Sequence, residues 1–328
     1  MARDTLRDRE SKPRHARVAD RRSPLSRLQI GLIVVLALAV VTGGAVLGWH
    51  LSIGSVSVAR SPTAVPNPTP VQLPAAHPSV SGADAPADNG GARFTAEFEA
   101  LAAEISADVG IVVRPVGQGP APLSAGEWSI GPAWSTIKVP LAIAGLRASD
   151  PPVVTEPMRA AVTRSDNSAA ESIWQSLGDP ATAAQKVQDV LAEAGDPTVV
   201  ESEKVRPEFT AFGQTQWSLA DQAVFLSSAV CDARNEPILA LMRRIEPEQR
   251  WGLAAIPEAQ YKGGWGPSEA GAYLVRQMGI LSTSRGSTVV TMAAEPDSGS
   301  FEDGTRVLTR IAEWLSQRMD LLPAGNCP

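Results

Sequence analysis

The sequence predicts an α+β domain carried behind one transmembrane helix. Three observations predict it: an uncharged apolar run over residues 28–51, a Pro- and Ala-rich stretch after it, and the order of elements in the remainder. That order is one strand early, helices in the middle, strands late and a helix last, which excludes the alternating βαβ pattern of a parallel sheet.

Residues 28–51 are mostly Leu, Ile, Val, Ala and Gly without a charge. About 20 such residues at 1.5 Å rise span a bilayer core. The preceding segment, 1–27, carries Arg3, Arg7, Arg9, Lys12, Arg14, Arg17, Arg21, Arg22 and Arg27 against four acids, whereas nothing basic follows the run until Arg60. Basic flanks stay in the cytoplasm, so the tail is expected inside, against anionic lipid, and everything after Leu51 outside. A signal peptide cleaved after Ala59 is the alternative, but its apolar core would run about 7–15 residues. Residues 52–92 are too poor in large apolar side chains to fold and read as a disordered spacer. The exported domain is then 93–328.

The chain is formally −6 and its tail is basic, so the exported part is the acidic part. It lacks the Lys and Arg clusters that phosphate contacts require, which excludes nucleic acid as a partner. Cys231 and Cys327 both lie in the exported part, where disulfides persist, and a bridge pinning the C-terminus is expected.

Within the domain, Phe94, Phe98, Leu101 and Ile105 recur at helical spacing over 94–107, and the β-branched run 109–116 reads as a strand. Residues 135–146 form a mostly apolar helix, 156–193 are dominated by helices, and 218–233 is another. Residues 273–281 and 287–294 are strands on either side of a turn at Arg285-Gly286, and 303–319 is the closing helix.

All three histidines, His15, His50 and His77, precede this domain, and two cysteines make no usual zinc cluster. A Ser-His-Asp triad and a structural zinc site are therefore excluded, no metal or cofactor is expected, and a catalytic base must be a carboxylate, Lys or Tyr. Lysine is scarce: Lys12, Lys138, Lys186, Lys204 and Lys262 are the whole set. Unlike Arg, Lys can give up its proton when buried. Lys138 follows Ser135 by three residues, a spacing that puts both on one helix face. Ser165-Asp166-Asn167 can equally be a turn or helix cap, and Lys262-Gly263-Gly264-Trp265 a turn leading into a strand.

In combination and in this order, Ser-x-x-Lys, Ser-Asp-Asn and a Lys-Gly element opening a strand resemble the penicillin-recognising serine enzymes, the class A β-lactamases and D,D-peptidases. The stretch AAVTRSDNSAAESIWQSLGDP around Ser165 carries the resemblance most closely. It implies an antiparallel sheet flanked by terminal helices plus an all-helical lobe. It also implies roles. Ser135 is the acylated nucleophile, Lys138 its proton acceptor and Ser165 a proton relay to the leaving nitrogen. Asn167, Lys262, Gly264 and Trp265 bind substrate, with the backbone N–H groups of Ser135 and Trp265 as the oxyanion hole. Cell-wall peptide or a β-lactam-like small molecule is the implied partner.

Three departures from the family pattern bear on activity. Gly263 stands where the family has Thr or Ser, removing one hydrogen bond worth about 1 kcal/mol or somewhat more. The interval from Ser135 to Ser165 is roughly half the family's. The deacylating Glu-x-x-Leu-Asn motif is matched by Arg206-Pro207-Glu208-Phe209-Thr210, with Glu201 the alternative if residues are counted without gaps. Arg cannot act as a base, so fast β-lactam hydrolysis is not expected and an acyl-enzyme should be long-lived. A serine hydrolase or acyl transferase is the first expectation, a non-catalytic envelope binding module the second and a working class A β-lactamase the third.

Overall fold

The computed structural model describes residues 89–328. The tail 1–27, the expected transmembrane helix 28–51 and most of the spacer 52–92 lie outside the described residues. Among the described residues no helix is long and apolar enough to cross a membrane.

Helix α1 (Asn89–Ala102) starts inside the segment read as spacer. Its opening glycines stand in the first turn of the helix. It also ends before residue 107, because Ala107 and Asp108 are drawn into the sheet opposite Pro296 and Glu295. Strands β1 (Ala107–Pro115) and β2 (Leu123–Gly126) are followed by the short β3 (Ile130–Pro132). The helical lobe contains α2 (Lys138–Arg147), α3 (Glu156–Thr163), α4 (Asn167–Ser176) and α5 (Pro180–Glu193). Strand β4 (Gln216–Ser218) pairs with β3, and α6 (Leu219–Ala229) and α7 (Glu236–Leu239) follow. The chain finishes with β5 (Gln260–Pro267), β6 (Tyr273–Thr283), β7 (Gly286–Pro296) and α8 (Phe301–Ser316).

Strands β2-β1-β7-β6-β5 form one antiparallel sheet in that order. One face is covered by the terminal helices. Phe94 and Phe98 of α1 meet Trp314 of α8 edge-on, with centroids 5.3 and 5.6 Å apart, over Val109, Ile111, Val275 and Val290. The other face packs on the helical lobe through Met278, Val289, Phe225 and the apolar residues of α2. The lobe's helices start on side-chain caps: Thr155, Asp166, Asp179 and Ser218 each accept a backbone N–H of the first turn. Cys231, just past α6, is disulfide-bonded to Cys327, tying the C-terminus to the lobe.

The Lys-Gly-Gly element is not a turn before the late strands. It is part of β5, which makes three late strands rather than two. Glycine weakens a strand on its own, and here tertiary neighbours supply the reason for it. At Gly263 a Cβ would lie 2.7 Å from the Trp251 ring, and at Gly264 it would lie 2.9 Å from the backbone nitrogens of Ser135 and Thr136.

Candidate active site

The site is a cleft of about 540 Å³ between α4, the outer end of β5 and the loop before β4. Ser135, Lys138, Ser165, Asn167 and Trp265 line it. Ser135 sits in a 3-10 turn (Trp134–Ile137) that leads into α2, so the helix expected from residue 135 begins with a tighter turn. Trp134 holds φ at +48°, packed edge-on against Phe209 at 5.1 Å. Beneath the turn runs a polar ladder. Thr136 Oγ1 donates to Ala133 O at 2.6 Å, Gln222 Nε2 donates to Thr136 Oγ1 at 2.9 Å, and Arg276 Nη2 donates to Gln222 Oε1 at 3.0 Å. Arg276 Nη1 also donates to the carbonyls of Gly131, Pro132 and Trp217. Arg276 is fully buried without a carboxylate beside it, and burial pulls its guanidinium down to about 9. Sequence inspection passes over it, although an Arg inside the apolar run YLVRQMGIL is a visible signal.

Lys138, the first residue of α2, is buried. Its Nζ donates to Ser165 O at 2.6 Å and Asn167 Oδ1 at 2.7 Å, and lies 3.5 Å from Ser165 Oγ. Burial lowers its pKa to about 7, against the opposing pull of the Asp166 carboxylate. Lys262 approaches from β5: its Nζ donates to Ser165 Oγ at 2.9 Å and to Gly263 O at 2.7 Å. It is fully buried, and burial together with the neighbouring Lys138 holds it well below the ordinary lysine range. Ser165 thus lies between two amines that burial disposes to be neutral.

Ser165 has φ +58°, a left-handed conformation that costs a non-Gly residue about 1–3 kcal/mol unless its surroundings impose it. Here they do. Both lysines bond it, Asp166 N donates back to Ala160 O at 3.2 Å, and Asp166 Oδ1 caps α4 by accepting from Ala169 N at 2.8 Å. Capping and site-building are therefore one feature: with Asp166 as the cap, Ser165 and Asn167 flank it at the cleft.

No hydrogen bond joins Ser135 and Lys138, although both line the cleft; the Lys138 amine is taken up by Ser165 and Asn167. On β5 the side chains alternate. Lys262 faces the cleft, and the Trp265 indole packs on Phe301 (5.2 Å) and Trp251 (6.1 Å). The Trp251 ring fills the space where a side chain at Gly263 would stand, so the family's hydroxyl has no room here.

Neither Arg206 nor Glu201 lines the cleft. Both border a separate pocket beyond Trp134, with Val205 and Leu274. Arg206 Nη1 donates to Pro267 O at 2.5 Å, its Nη2 pairs with Glu208 at 3.2 Å, and its guanidinium lies 4.4 Å from the Phe209 ring centre. The carboxylates that do line the cleft are Glu208, which the motif match contains without a role, and Glu171, which sequence inspection passed over. Glu171 belongs to a polar stripe on α4 formed by Asn167, Ser168, Glu171, Ser172 and Gln175, whose spacing is one helix face. Among the described residues no group of three His, Cys, Asp or Glu is placed to hold a metal.

The fold is that of the class A β-lactamases. A β-lactamase from Streptosporangium roseum superposes with a TM-score of 0.55 at 18% identity, covering 71% of this chain and 100% of its own. The TLA-1 extended-spectrum β-lactamase gives 0.55 at 15% identity over 70% of this chain and 100% of its own. An ancestral class A β-lactamase gives 0.54 at 17% identity over 69% and 99%. No protein-family model matches the chain, and neither does any curated protein. At these identities the likeness concerns the fold, and it bears out the resemblance drawn from Ser135, Lys138, Ser165 and Lys262.

Proposed function

We propose that this chain is a β-lactamase-like serine hydrolase or penicillin-binding-type acyl transferase that carries its acyl group on Ser135. The observation that carries the reading is the network joining Lys138, Ser165, Asn167 and Lys262 in the cleft that Ser135 lines. A neutral Lys138 amine accepts the Ser135 hydroxyl proton once substrate reorders the site. The Oγ–acyl bond forms as the substrate's C–N or C–O bond breaks, and the proton passes through Ser165 Oγ to the leaving atom. The N–H groups of Ser135 and Trp265 hold the developing oxyanion, and Asn167 bonds the substrate amide. Arg206 cannot act as a base, and Glu208, the carboxylate of that loop that lines the cleft, is paired with it at 3.2 Å. The ester therefore persists, or passes to an acceptor other than water.

The basic tail and apolar run 28–51 support an extracytoplasmic address, with the N-terminus in the cytoplasm and lipid as partner of the run. Cell-wall peptide, or a related amide or ester, is the substrate class that address suggests. The full chain treated with a fluorescent penicillin should gain one covalent adduct by intact mass, located on Ser135 and lost in Ser135→Ala. Absence of any adduct from penicillins and acyl esters alike would reject the reading. A second reading, a non-catalytic envelope binding module, draws on the missing Ser135–Lys138 bond and on Trp251 in the hydroxyl's place. Turnover abolished by Ser135→Ala would exclude it. Rapid hydrolysis of a chromogenic cephalosporin would instead favour a working β-lactamase.

A further inference from the structure

We infer that Glu171 is a specificity residue that receives an ammonium group on the acyl part of the substrate, about one helical turn beyond the amide-binding Asn167. The inference rests on the acylating role proposed for Ser135 and names the substrate chemistry of that same cleft.

Glu171 follows Asn167 by four residues on α4, and both line the cleft. Four residues of helix rise about 6 Å, so a chain extending from an amide held at Asn167 along α4 reaches Glu171 after four or five bonds. The other carboxylate of the cleft, Glu208, is engaged by Arg206 at 3.2 Å. The Glu171 carboxylate forms no ion pair and no hydrogen bond among the described residues, yet the residue is half-buried in the wall rather than out on the surface. It does not serve the catalytic lysines either: the carboxylate whose charge acts on Lys138 is that of Asp166. Lys204 on the facing loop also lines the cleft, but it is exposed and no ion pair joins it to Glu171. A half-buried carboxylate without a partner, between serines in a substrate cleft, is a receptor for a cation brought by the ligand. Ser168 and Ser172 stand beside it on the same cleft-lining helix face.

The test uses three penicillins that differ at the end of the 6-acyl chain: 5-aminopentanoyl, hexanoyl and 5-carboxypentanoyl. The rate of covalent adduct formation on the full chain is read by intact mass at low ionic strength. The ammonium compound should acylate about fivefold or more faster than the neutral one, the size of one partly screened contact between opposite charges, and the carboxylate compound should be slowest. Glu171→Gln should bring the ammonium-to-neutral ratio to about one, and Glu171→Lys should reverse the order so that the carboxylate compound leads. Equal rates in the unmodified chain, or a preference that survives Glu171→Gln, would overturn the inference while leaving acylation standing. No adduct from any of the three would reject acylation itself, and the inference with it.

Discussion

The two walls of the cleft differ in how they are built. On the wall made by α2, α4 and β5, the two buried amines, the Ser165 hydroxyl and carbonyl, and the Asn167 amide are tied into one set, each within 2.6–3.5 Å of a partner. It carries strain at Ser165 and the burial of two lysines, both of which cost stability and neither of which a structural wall needs. The facing loop has the opposite character. Arg206, Glu208 and Phe209 form a self-contained unit of an ion pair and a cation-over-ring contact, latched to Pro267. One wall keeps groups that are costly to fold and suited to the proposed acylation; the other holds an ion pair and a latch to Pro267. On the proposed mechanism, the two walls separate acylation from deacylation by a change in a single loop.

The largest test of that contrast is Lys138→Ala, which should slow adduct formation about 10²- to 10⁴-fold, the usual weight of a general base, measured by rapid quench and mass spectrometry. Lys138→Met, which keeps the buried stem and removes the amine, should show the same loss with the fold retained. Gly264→Ala sets a methyl 2.9 Å from the Ser135 nitrogen. Adduct formation should fall about 10²-fold, as when an oxyanion donor is displaced.

Acidity tests the same wall. The amine must be neutral to accept a proton, so with Lys138 at about 7 adduct formation should rise about tenfold per pH unit up to that value and level off above it. The accompanying effect on stability has a definite sign. The folded state holds fewer protons than the unfolded state between about 7 and the ordinary lysine value of 10.5, so stability should increase with pH across that window, as followed by urea denaturation. The smallest effect belongs to the other wall. Arg206→Ala should lower stability by about 1–2 kcal/mol, the loss of a charged hydrogen bond to Pro267. Arg206→Glu should not restore fast hydrolysis, because residue 206 lies outside the cleft.

What could be read in advance divides along similar lines. Ser165-Asp166-Asn167 was legible because its geometry is local: a cap residue places its immediate neighbours, whatever the rest of the chain does. The element order sufficed for an α+β fold. Strand β5 was legible only through the resemblance, because glycines at 263 and 264 argue against a strand until Trp251 and the Ser135 turn occupy the space beside them. Glu171 was hidden for a related reason. A carboxylate on a helix face means nothing until the opposing wall turns that face into a cleft. Arg276 depends on contacts with residues 131, 132, 217 and 222, far from it in the chain. The start of α1 inside the Pro- and Ala-rich segment, and the absence of a Ser135–Lys138 bond, likewise follow from partners that spacing does not encode.

The most direct measurement is a single time course on the full chain with a chromogenic cephalosporin, following product release and intact mass together. Two intact walls would give steady turnover, and two lost walls would give nothing. With the acylating wall kept and the other rebuilt, release should stop after one equivalent while the adduct on Ser135 persists. Sustained turnover without an accumulating adduct, or no adduct at all, would contradict the account.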